Sequence, residues 1–565
     1  MTETSQVRAA ARRDRAGHAN PYVVLAIILT ATFMQLVDIS IVNVAIPSIQ
    51  RDLHASYGQI QLVLVFYQLA FACTLITAAR IGDIYGRRRI FLIGMTAFTL
   101  ASVLCGAAPN AGVLVGSRLL QGLAAGLMFP QVLSVIQVTF PPRDRGRALG
   151  IVGATIGLAT ILGPLLGGIL IQADIGGLGW RTIFYVNVPI GIGALIAAFF
   201  LLGESRAPGG NRLDLPGAGL VTLGVFLLVF PLVEGRDRGW PGWVWLMLAA
   251  AVPVLAVFAA YERRRTAADA SPLLRMSLFR DRAFVAGLVL SFVFFAALPP
   301  FFFTLAVYLQ IGLGFSALGS GLTGFPFAVG SACAAAASNA LTKRLGRSIL
   351  LLGTGLLVLG MCAVLLTAHV VGIHPHTWQF LPALLLSGVG LGLFIAPVVN
   401  IILAAIRTEA AGAASGVLST VQQVGGAVGV AVIGVVFFGL LGVNSGRAAG
   451  AVGPQVRASL AAAHLPRPAQ DAVLAGFRKC FHDRSHAKDP TTPPPSCRQR
   501  SGTTAPVGNA LRNAGRVALA EDFSRSYQQA LGYEIAVFAL SFLLVFRLPR
   551  VDPHNMRPAG PPAEA

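Results

Sequence analysis

Fourteen apolar runs of helical length restrict what this chain can fold into. They occupy 22–47, 57–79, 90–108, 112–139, 146–172, 181–202, 214–234, 241–261, 282–310, 317–341, 347–370, 377–406, 411–441 and 529–547. A helix needs about 20 apolar residues to cross a bilayer, and a backbone in lipid must satisfy its own hydrogen bonds. The runs therefore predict an all-α polytopic membrane protein. Only 12% of the residues are charged, about half the fraction of a soluble domain, so a soluble enzyme is disfavoured.

The basic residues predict the orientation in the membrane. The net charge is +20, but the arginines and lysines cluster between the apolar runs, which favours a role in topology over nucleic-acid binding. With a cytoplasmic N-terminus, the segments on that side hold 26 Lys and Arg, against 4 in the short outer loops. Both termini are therefore predicted to be cytoplasmic.

Two short internal repeats predict how the chain is divided. Residues 86–92 resemble 346–352, and 146–150 resemble 412–416, at offsets of 260 and 266 residues. Similar offsets indicate two homologous six-helix halves, the architecture of alternating-access transporters. The predicted divisions are a tail (1–21), a first half (22–202), two inserted helices with their loops (203–281), a second half (282–547) and a second tail (548–565).

The second half contains one long polar insert, 442–528, which carries 12 Lys and Arg. An even number of spans places it outside the cytoplasm, and long segments are translocated despite positive charge. Its composition shows little helical periodicity after about Gly476, which favours a solvated, partly disordered cap. In an oxidising exterior, Cys480 and Cys497 are candidates for a disulfide.

Charged side chains inside the apolar runs are the best candidates for function, because each costs about 2.5–3.5 kcal/mol on insertion. Asp38 lies about two-thirds along the first run and Arg118 near the second turn of the fourth, at compatible depths. Such a pair serves either as a proton relay, in which conformational change alters the charge on the carboxyl, or as a permanent structural ion pair. Glu534 is expected at the membrane interface.

Two further motifs suggest moving parts. Asp83, between Gly82 and Gly86, is expected in a cytoplasmic loop, where it either caps a helix N-terminus or pairs with Arg87 as a latch between the two halves. The fifth run contains glycines and one proline that favour close packing and a kink; they are Gly157, Gly163, Pro164, Gly167 and Gly168.

Together these motifs resemble the major facilitator superfamily, specifically its 14-span drug:proton antiporters. The matching residues are Leu36, Asp38 and Ile41 to Pro47; Gly82, Asp83 and Gly86 to Arg89; Arg118, Gln121 and Gly122; the fifth-run set above; Trp180, Arg181, Phe184, Asn187, Pro189 and Gly191; and Gln422, Gln423, Gly425 and Gly426. The resemblance covers nearly the whole chain except the insert and the tails.

The resemblance implies proton-coupled export of amphipathic or apolar drugs across the bacterial cytoplasmic membrane. It implies that Asp38 and Arg118 couple protons, that Gly82, Asp83, Gly86 and Arg87 form a cytoplasmic gate, and that the fifth-run residues form an exporter hinge. Family members that export dications carry an acid in the thirteenth helix. This chain has Gln422 and Gln423 there instead, which favours neutral, zwitterionic or monocationic compounds.

The candidate substrate pocket consists of amides in apolar runs beside an aromatic wall. Its proposed members are Gln35, Asn43, Gln68, Phe302, Asn400, Gln422 and Gln423.

Three functions remain open on the sequence. The first is drug export with resistance or self-protection, the second is export of an endogenous metabolite, lipid or siderophore, and the third is a transport-inactive receptor or scaffold. The sequence lacks a GxxxxGK[ST] loop for ATP, so we expect no enzyme activity, no cofactor and the proton gradient as the energy source. We also expect no metal site, since His482 and His486 have an i, i+4 spacing without the glutamate of an HExxH motif. The expected partners are a small molecule, protons and the bilayer, with the protein as a monomer.

Overall fold

The computed structural model describes residues 20–55, 57–206, 214–235, 238–267, 274, 276–404, 406, 411–485, 494–497 and 505–548. All regular structure in these ranges is helical. The sequence-predicted tails fall largely outside them.

The first set of helices corresponds to the first six apolar runs. They are α1 (Pro21–Asp52), α2 (Tyr57–Tyr85), α3 (Arg87–Gly106), α4 (Ala111–Thr139), α5 (Pro142–Ala173), α6 (Thr182–Tyr185) and α7 (Asn187–Leu201). Side-chain caps fix several starts, because a polar oxygen accepts from a free backbone N–H of the first turn. Asn20 caps α1 and Asn110 caps α4 in this way.

The remaining helices follow the same apolar pattern, with one break. They are α8 (Leu215–Glu234), α9 (Gly242–Ala267), α10 (Arg282–Phe295), α11 (Leu298–Val307), α12 (Ala317–Leu345), α13 (Ser348–Val371), α14 (Leu381–Ala404), α15 (Ala411–Ala451), α16 (Gly453–Ala462), α17 (Arg467–Ser485) and α18 (Ala505–Val545). The break between α10 and α11 lies just before Pro299 and Pro300. Both prolines occupy the first turn of α11, where the backbone N–H that proline lacks has no intrahelical partner. A π-turn, Tyr308–Gly312, follows α11.

The count of membrane spans is supported only in part. Twelve helices in the described ranges are long and apolar enough to cross a membrane, and α2 makes thirteen if its segments Leu62–Leu75 and Thr77–Tyr85, bent by 51°, form one span. The remaining predicted run, 146–172, lies in α5. A total of fourteen therefore stays a prediction.

The helices pack as two groups that meet along α5 and α2. In the first group α1 packs on α5, while α4 packs on α2 and α3; in the second, α14 packs on α12 and α13, while α18 packs on α13 and α15. Contacts between the groups are made mainly by α5 with α12 and by α2 with α15. Helices α8 and α9 pair with each other, and α8 lies beside both α2 and α15.

The insert is more ordered than the sequence suggests. Helix α15 continues ten residues past the predicted end of its span, and α18 begins at Ala505, well before the predicted start at 529. With α16 and α17 these extensions form a helical cap, by which we mean the described parts of 442–528. The cap has its own apolar core, which includes Val456, Leu460 and Phe481. The expectation of low helicity after Gly476 is wrong, because α17 runs through Ser485. Hydropathy identifies only the lipid-spanning part of such helices.

Cys480 in α17 is bonded to Cys497 in a short 3₁₀ turn. The bridge spans 17 positions of the chain, and closing a loop of about 15 residues stabilises the folded state by about 3 kcal/mol in the chain-entropy model. We expect Cys480→Ser to lower the thermal stability of the cap and the yield of protein in the membrane.

Thiol labelling of the denatured chain checks the bond itself. The chain has six cysteines, of which four are free, so mass spectrometry should find four labels before reduction and six after it. An equal number of labels under both conditions would exclude the disulfide.

Candidate functional site

The polar centre of the first helix group is an ion pair between Asp38 of α1 and Arg118 of α4. Arg118 Nη1 donates to Asp38 Oδ2. The side chain of Asp38 is 0% exposed and that of Arg118 is 1% exposed, so the pair is buried in this conformation. The structure thus brings together two residues that the sequence places at compatible depths.

Amide side chains complete the hydrogen bonding of this carboxylate. Gln121 Nε2 and Asn187 Nδ2 donate to Asp38 Oδ1 at 2.9 and 3.1 Å. Arg118 Nη1 also donates to Gln121 Oε1 at 2.7 Å, and Gln121 Nε2 reaches Ser102 Oγ at 2.8 Å. Four helices, α1, α3, α4 and α7, therefore contribute to one buried network, and a movement of any of them changes the surroundings of Asp38.

The guanidinium is held by further groups besides the carboxylate. Arg118 Nε donates to the backbone oxygen of Val63 at 3.3 Å, and the guanidinium carbon lies 4.1 Å from the centre of the Tyr67 ring. A second ring, that of Phe184, lies 5.9 Å away. Aromatic faces stabilise a desolvated cation, so Arg118 has favourable contacts on α2 and α6 in addition to its pairing with Asp38.

This arrangement supports a specific chemistry. In this conformation Asp38 is a carboxylate with a guanidinium and two amide donors, so its charge is compensated. Breaking the contact with Arg118 inside the bundle would leave an uncompensated buried charge, which is strongly unfavourable. A carboxyl avoids that cost by binding a proton.

The loop motif forms a second buried ion pair. Arg87 donates to Asp83 Oδ1 from Nε at 3.2 Å and from Nη2 at 2.8 Å, and both side chains are buried. The backbone N–H of Arg87 donates to the oxygen of Ser205 at 3.0 Å. These contacts join α2, α3 and the segment after α7, all within the first helix group. Asp83 thus lies in α2 rather than in a loop, and its described contacts do not link the two halves.

The two glycines of this motif occupy crowded positions. Gly86 has φ +111°, a conformation that side chains rarely adopt. A Cβ there would lie 2.5 Å from the Glu204 carboxylate, and one at Gly82 would meet the Gln131 side chain. The backbone conformation of Gly86 therefore favours glycine, whereas the close contact at Gly82 is with the flexible end of the Gln131 side chain.

The glycines of α5 bring this helix against the part of α1 that carries Asp38. A Cβ at Gly163 would collide with Ser40 Oγ and lie 3.2 Å from the backbone oxygen of Val37. A Cβ at Gly167 would lie 2.8 Å from Ile41 Cγ1, whereas one at Gly168 would meet nothing within 4 Å. Helix α5 is continuous across 157 and 164, but the side-chain environment of Pro164, and the surroundings of Gly157, lie outside the description.

The candidate substrate residues have different environments. Gln35 is buried, and its Oε1 has no hydrogen-bond partner among the described residues. Gln68 is exposed on α2, and Asn400, Gln422 and Gln423 are half-buried. The Asn43 side chain lies outside the described part. An unpaired buried amide oxygen on α1, one turn before Asp38, is suited to accept a hydrogen bond from a substrate.

An aromatic cluster on α11 and α12 includes Phe302 of the predicted pocket. The ring of Phe302 meets that of Phe327 edge-to-face at 5.0 Å, and Phe301 packs on both. Phe301 and Phe327 are buried, whereas Phe302 is only half-buried. Phe302 is therefore the member of this cluster best placed to contact a ligand.

Sequence reasoning underestimated two residues. The sequence identifies Asn187 only as one residue of a motif, whereas in the structure its side chain donates a hydrogen bond to Asp38. The expectation that Glu534 is interfacial is wrong, since it is 0% exposed and bonds Thr304. In both cases the sequence offers one indication of a buried polar contact, namely a polar residue inside an apolar run. Hydropathy cannot show that a neighbouring helix covers such a residue.

Comparison with known proteins agrees with this architecture. The sequence model of the Major Facilitator Superfamily matches residues 28–430. The chain is 40% identical over 533 residues to the "Probable actinorhodin transporter" of Streptomyces coelicolor, covering 94% of this chain and 92% of that protein. It is 34% identical to the tetracenomycin C resistance and export protein of Streptomyces glaucescens, covering 75% and 77%.

A solved structure shows the same fold. The human organic anion transporter MFSD10 superposes with a TM-score of 0.52 at 17% sequence identity, over 74% of this chain and 94% of that one. The profile match, the relatives and the helical architecture confirm the family that the motifs indicate: the chain belongs to the Major Facilitator Superfamily, as a multi-pass protein of the bacterial plasma membrane.

Proposed function

We propose that this protein exports amphipathic or apolar antibiotics in exchange for protons. The observation that carries the proposal is the buried pair of Asp38 and Arg118. It places one ionisable carboxyl in a network shared by four helices, so that its charge depends on how those helices are arranged. A membrane protein keeps a buried carboxylate at considerable cost, and proton relays are one established use of such a group.

In the proposed cycle Asp38 alternates between its partners and a proton. When the outward-facing state separates Asp38 from Arg118, the carboxyl binds a proton from outside. Return to the inward-facing state and contact with Arg118 release that proton to the cytoplasm, because a neighbouring guanidinium favours the charged carboxylate. The compound moves outward in the opposite phase of the same rocking motion.

The other motifs have supporting roles in this proposal. Gly82, Asp83, Gly86 and Arg87 hold α2 and α3 together as part of a cytoplasmic gate. Gly163 and Gly167 let α5 slide against α1, with Gly157 and Pro164 in the same helix as the rest of the hinge. Gly168 faces open space and is left out of the proposed hinge.

We also propose the finer topology. It has 14 spans, with α5 as the additional span, cytoplasmic termini and the helical cap outside. Two six-helix halves flank α8 and α9, which is supported by the pairing of α5 with α12 and of α2 with α15. One chain then contains a complete transport unit, so a monomer suffices.

The nature of the cargo is supported by the pocket and by the relatives. Half-buried amides and the Phe302 cluster suit a bulky apolar compound with a few polar groups. The described part of α15 carries no acid, which disfavours dications. The relatives named for actinorhodin and for tetracenomycin C indicate antibiotics as the first compounds to test.

Uptake into inverted membrane vesicles tests the proposal. Vesicles containing the protein should accumulate at least one of actinorhodin, tetracenomycin C, puromycin or methylenomycin A when a proton gradient is imposed. A protonophore should abolish this accumulation, and vesicles without the protein should show none. Accumulation that continues at the same rate with the protonophore would exclude proton coupling.

A further inference from the structure

A second buried carboxyl, Glu534 of α18, lies in the second helix group. It is 0% exposed, and Thr304 Oγ1 of α11 lies 3.1 Å from its Oε1. Its other oxygen, Oε2, is buried without a hydrogen-bond partner among the described residues. Asp38, by contrast, is surrounded by a guanidinium and two amide donors.

The groups around Glu534 do not supply a compensating cation. The titratable or charged residues on α18 and on the elements packed against it are Tyr308 after α11, Tyr527 and Tyr533 on α18 itself, Cys362 and His369 on α13, Arg282 at the start of α10, Arg447 in the cap part of α15, Arg457 on α16, and Arg512, Arg516, Glu521, Asp522 and Arg525 in the cap part of α18. Of these, His369 bonds Gln528, and Arg525 bonds Glu521. No ion pair in the described chain includes Glu534. A carboxylate buried without a cation is strongly disfavoured.

The hydrogen bonds of Thr304 indicate where the proton is. Its hydroxyl oxygen lies 3.2 Å from the backbone oxygen of Phe301 and 3.1 Å from Glu534 Oε1. A hydroxyl carries one proton, and a carbonyl oxygen can only accept. Both contacts are satisfied together when Thr304 donates to Phe301 and a protonated Glu534 donates to Thr304.

Thr304 and Glu534 occupy positions in the second half that correspond to those of Asp38 and Asn187 in the first half. Thr304 follows Asp38 by 266 residues, which equals the offset between 146–150 and 412–416. Asp38 in the first run of its half meets Asn187 in the sixth. Thr304 in the first run of the second half meets Glu534 in the last. The second half thus has an acid and a polar partner at the equivalent helix contact, with the acid on the other helix.

We propose that Glu534 is a second proton-binding residue of the transport cycle, protonated in this conformation and releasing its proton in another. The coupling of this proton to cargo rests on the proton-coupled export proposed above. The protonation itself is independent of cargo. The contact with Thr304 makes α11 and α18 the pair of helices whose separation would expose Glu534.

Infrared spectroscopy of the full-length protein in lipid, titrated with pH alone, tests the protonation. The wild type should show a carboxylic acid C=O band that is lost reversibly in alkaline buffer. Glu534→Gln, which keeps the shape and the contact with Thr304, should lack this band. Glu521→Gln, on the same helix but partly exposed and paired with Arg525, should retain it. Thr304→Val should shift the pH at which the band is lost. An identical spectrum and titration in the wild type and Glu534→Gln would overturn the proposal.

The proton-to-compound ratio tests the role in transport. In proteoliposomes loaded with a pH dye, Glu534→Gln should move one proton fewer per exported compound than the wild type, while Glu521→Gln leaves the ratio unchanged. An unchanged ratio in Glu534→Gln would show that Glu534 has only a structural role, and it would overturn the proposal. If the wild type exports none of the four antibiotics, the proposed function fails, and the infrared titration still decides whether Glu534 binds an exchangeable proton.

Discussion

Replacing Asp38 with asparagine is expected to abolish proton-driven efflux. The amide has nearly the same shape as the carboxyl but cannot bind and release a proton, so efflux should fall to that of liposomes without protein. The change also leaves Arg118 buried without its counter-charge, which costs about 3–5 kcal/mol when one partner of a buried pair is removed. Transport in proteoliposomes with an imposed pH gradient measures the first effect, and thermal unfolding in detergent measures the second.

Two further variants separate chemistry from folding. Asp52→Asn removes a carboxylate from the same helix, where it pairs with Arg181 at 3.2 Å and is 52% exposed. An exposed pair contributes little to stability, so transport should persist in this control. The double variant Asp38→Asn, Arg118→Gln removes the unpaired charge and should recover stability without recovering transport. Full activity of folded Asp38→Asn would remove Asp38 from the mechanism.

Replacing Gly163 with valine is expected to have the second largest effect. The added side chain would collide with Ser40 and the backbone of Val37 in α1, one turn or less from Asp38. Overpacking of this kind typically costs about 1–3 kcal/mol, and here it also pushes α1 away from α5 and displaces the carboxyl from its donors. Efflux should be lost, or nearly lost, in protein that still reaches the membrane.

The matched control lies on the same helix. A side chain at Gly168 meets nothing within 4 Å, so Gly168→Ala should leave efflux and unfolding temperature close to those of the wild type. Growth of cells exposed to an exported antibiotic, together with the amount of protein in membranes, gives the comparison. Equal efflux by Gly163→Val and Gly168→Ala at equal protein levels would show that close contact between α5 and α1 is not needed for transport.

The sequence predicts the parts of this structure that depend on hydropathy and on depth along a span. The pairing of Asp38 with Arg118 follows from two charges at compatible depths, and the break before Pro299 follows from the stereochemistry of proline. The helices of the cap were missed because a search for apolar runs detects only helices that are apolar throughout. Helix α17 is amphipathic and polar on average, with an apolar face that packs into the core of the cap. Glu534 was misplaced because its burial depends on α11, a helix distant in sequence.

The most direct test of the account is a simultaneous measurement of protons and cargo. Proteoliposomes containing wild-type protein and an internal pH dye should show protons moving opposite to an exported antibiotic, in a fixed ratio. The same antibiotic gradient should move no protons in liposomes containing Asp38→Asn. Cargo that crosses at an equal rate with and without a pH gradient, accompanied by no proton movement in the wild type, would contradict the account.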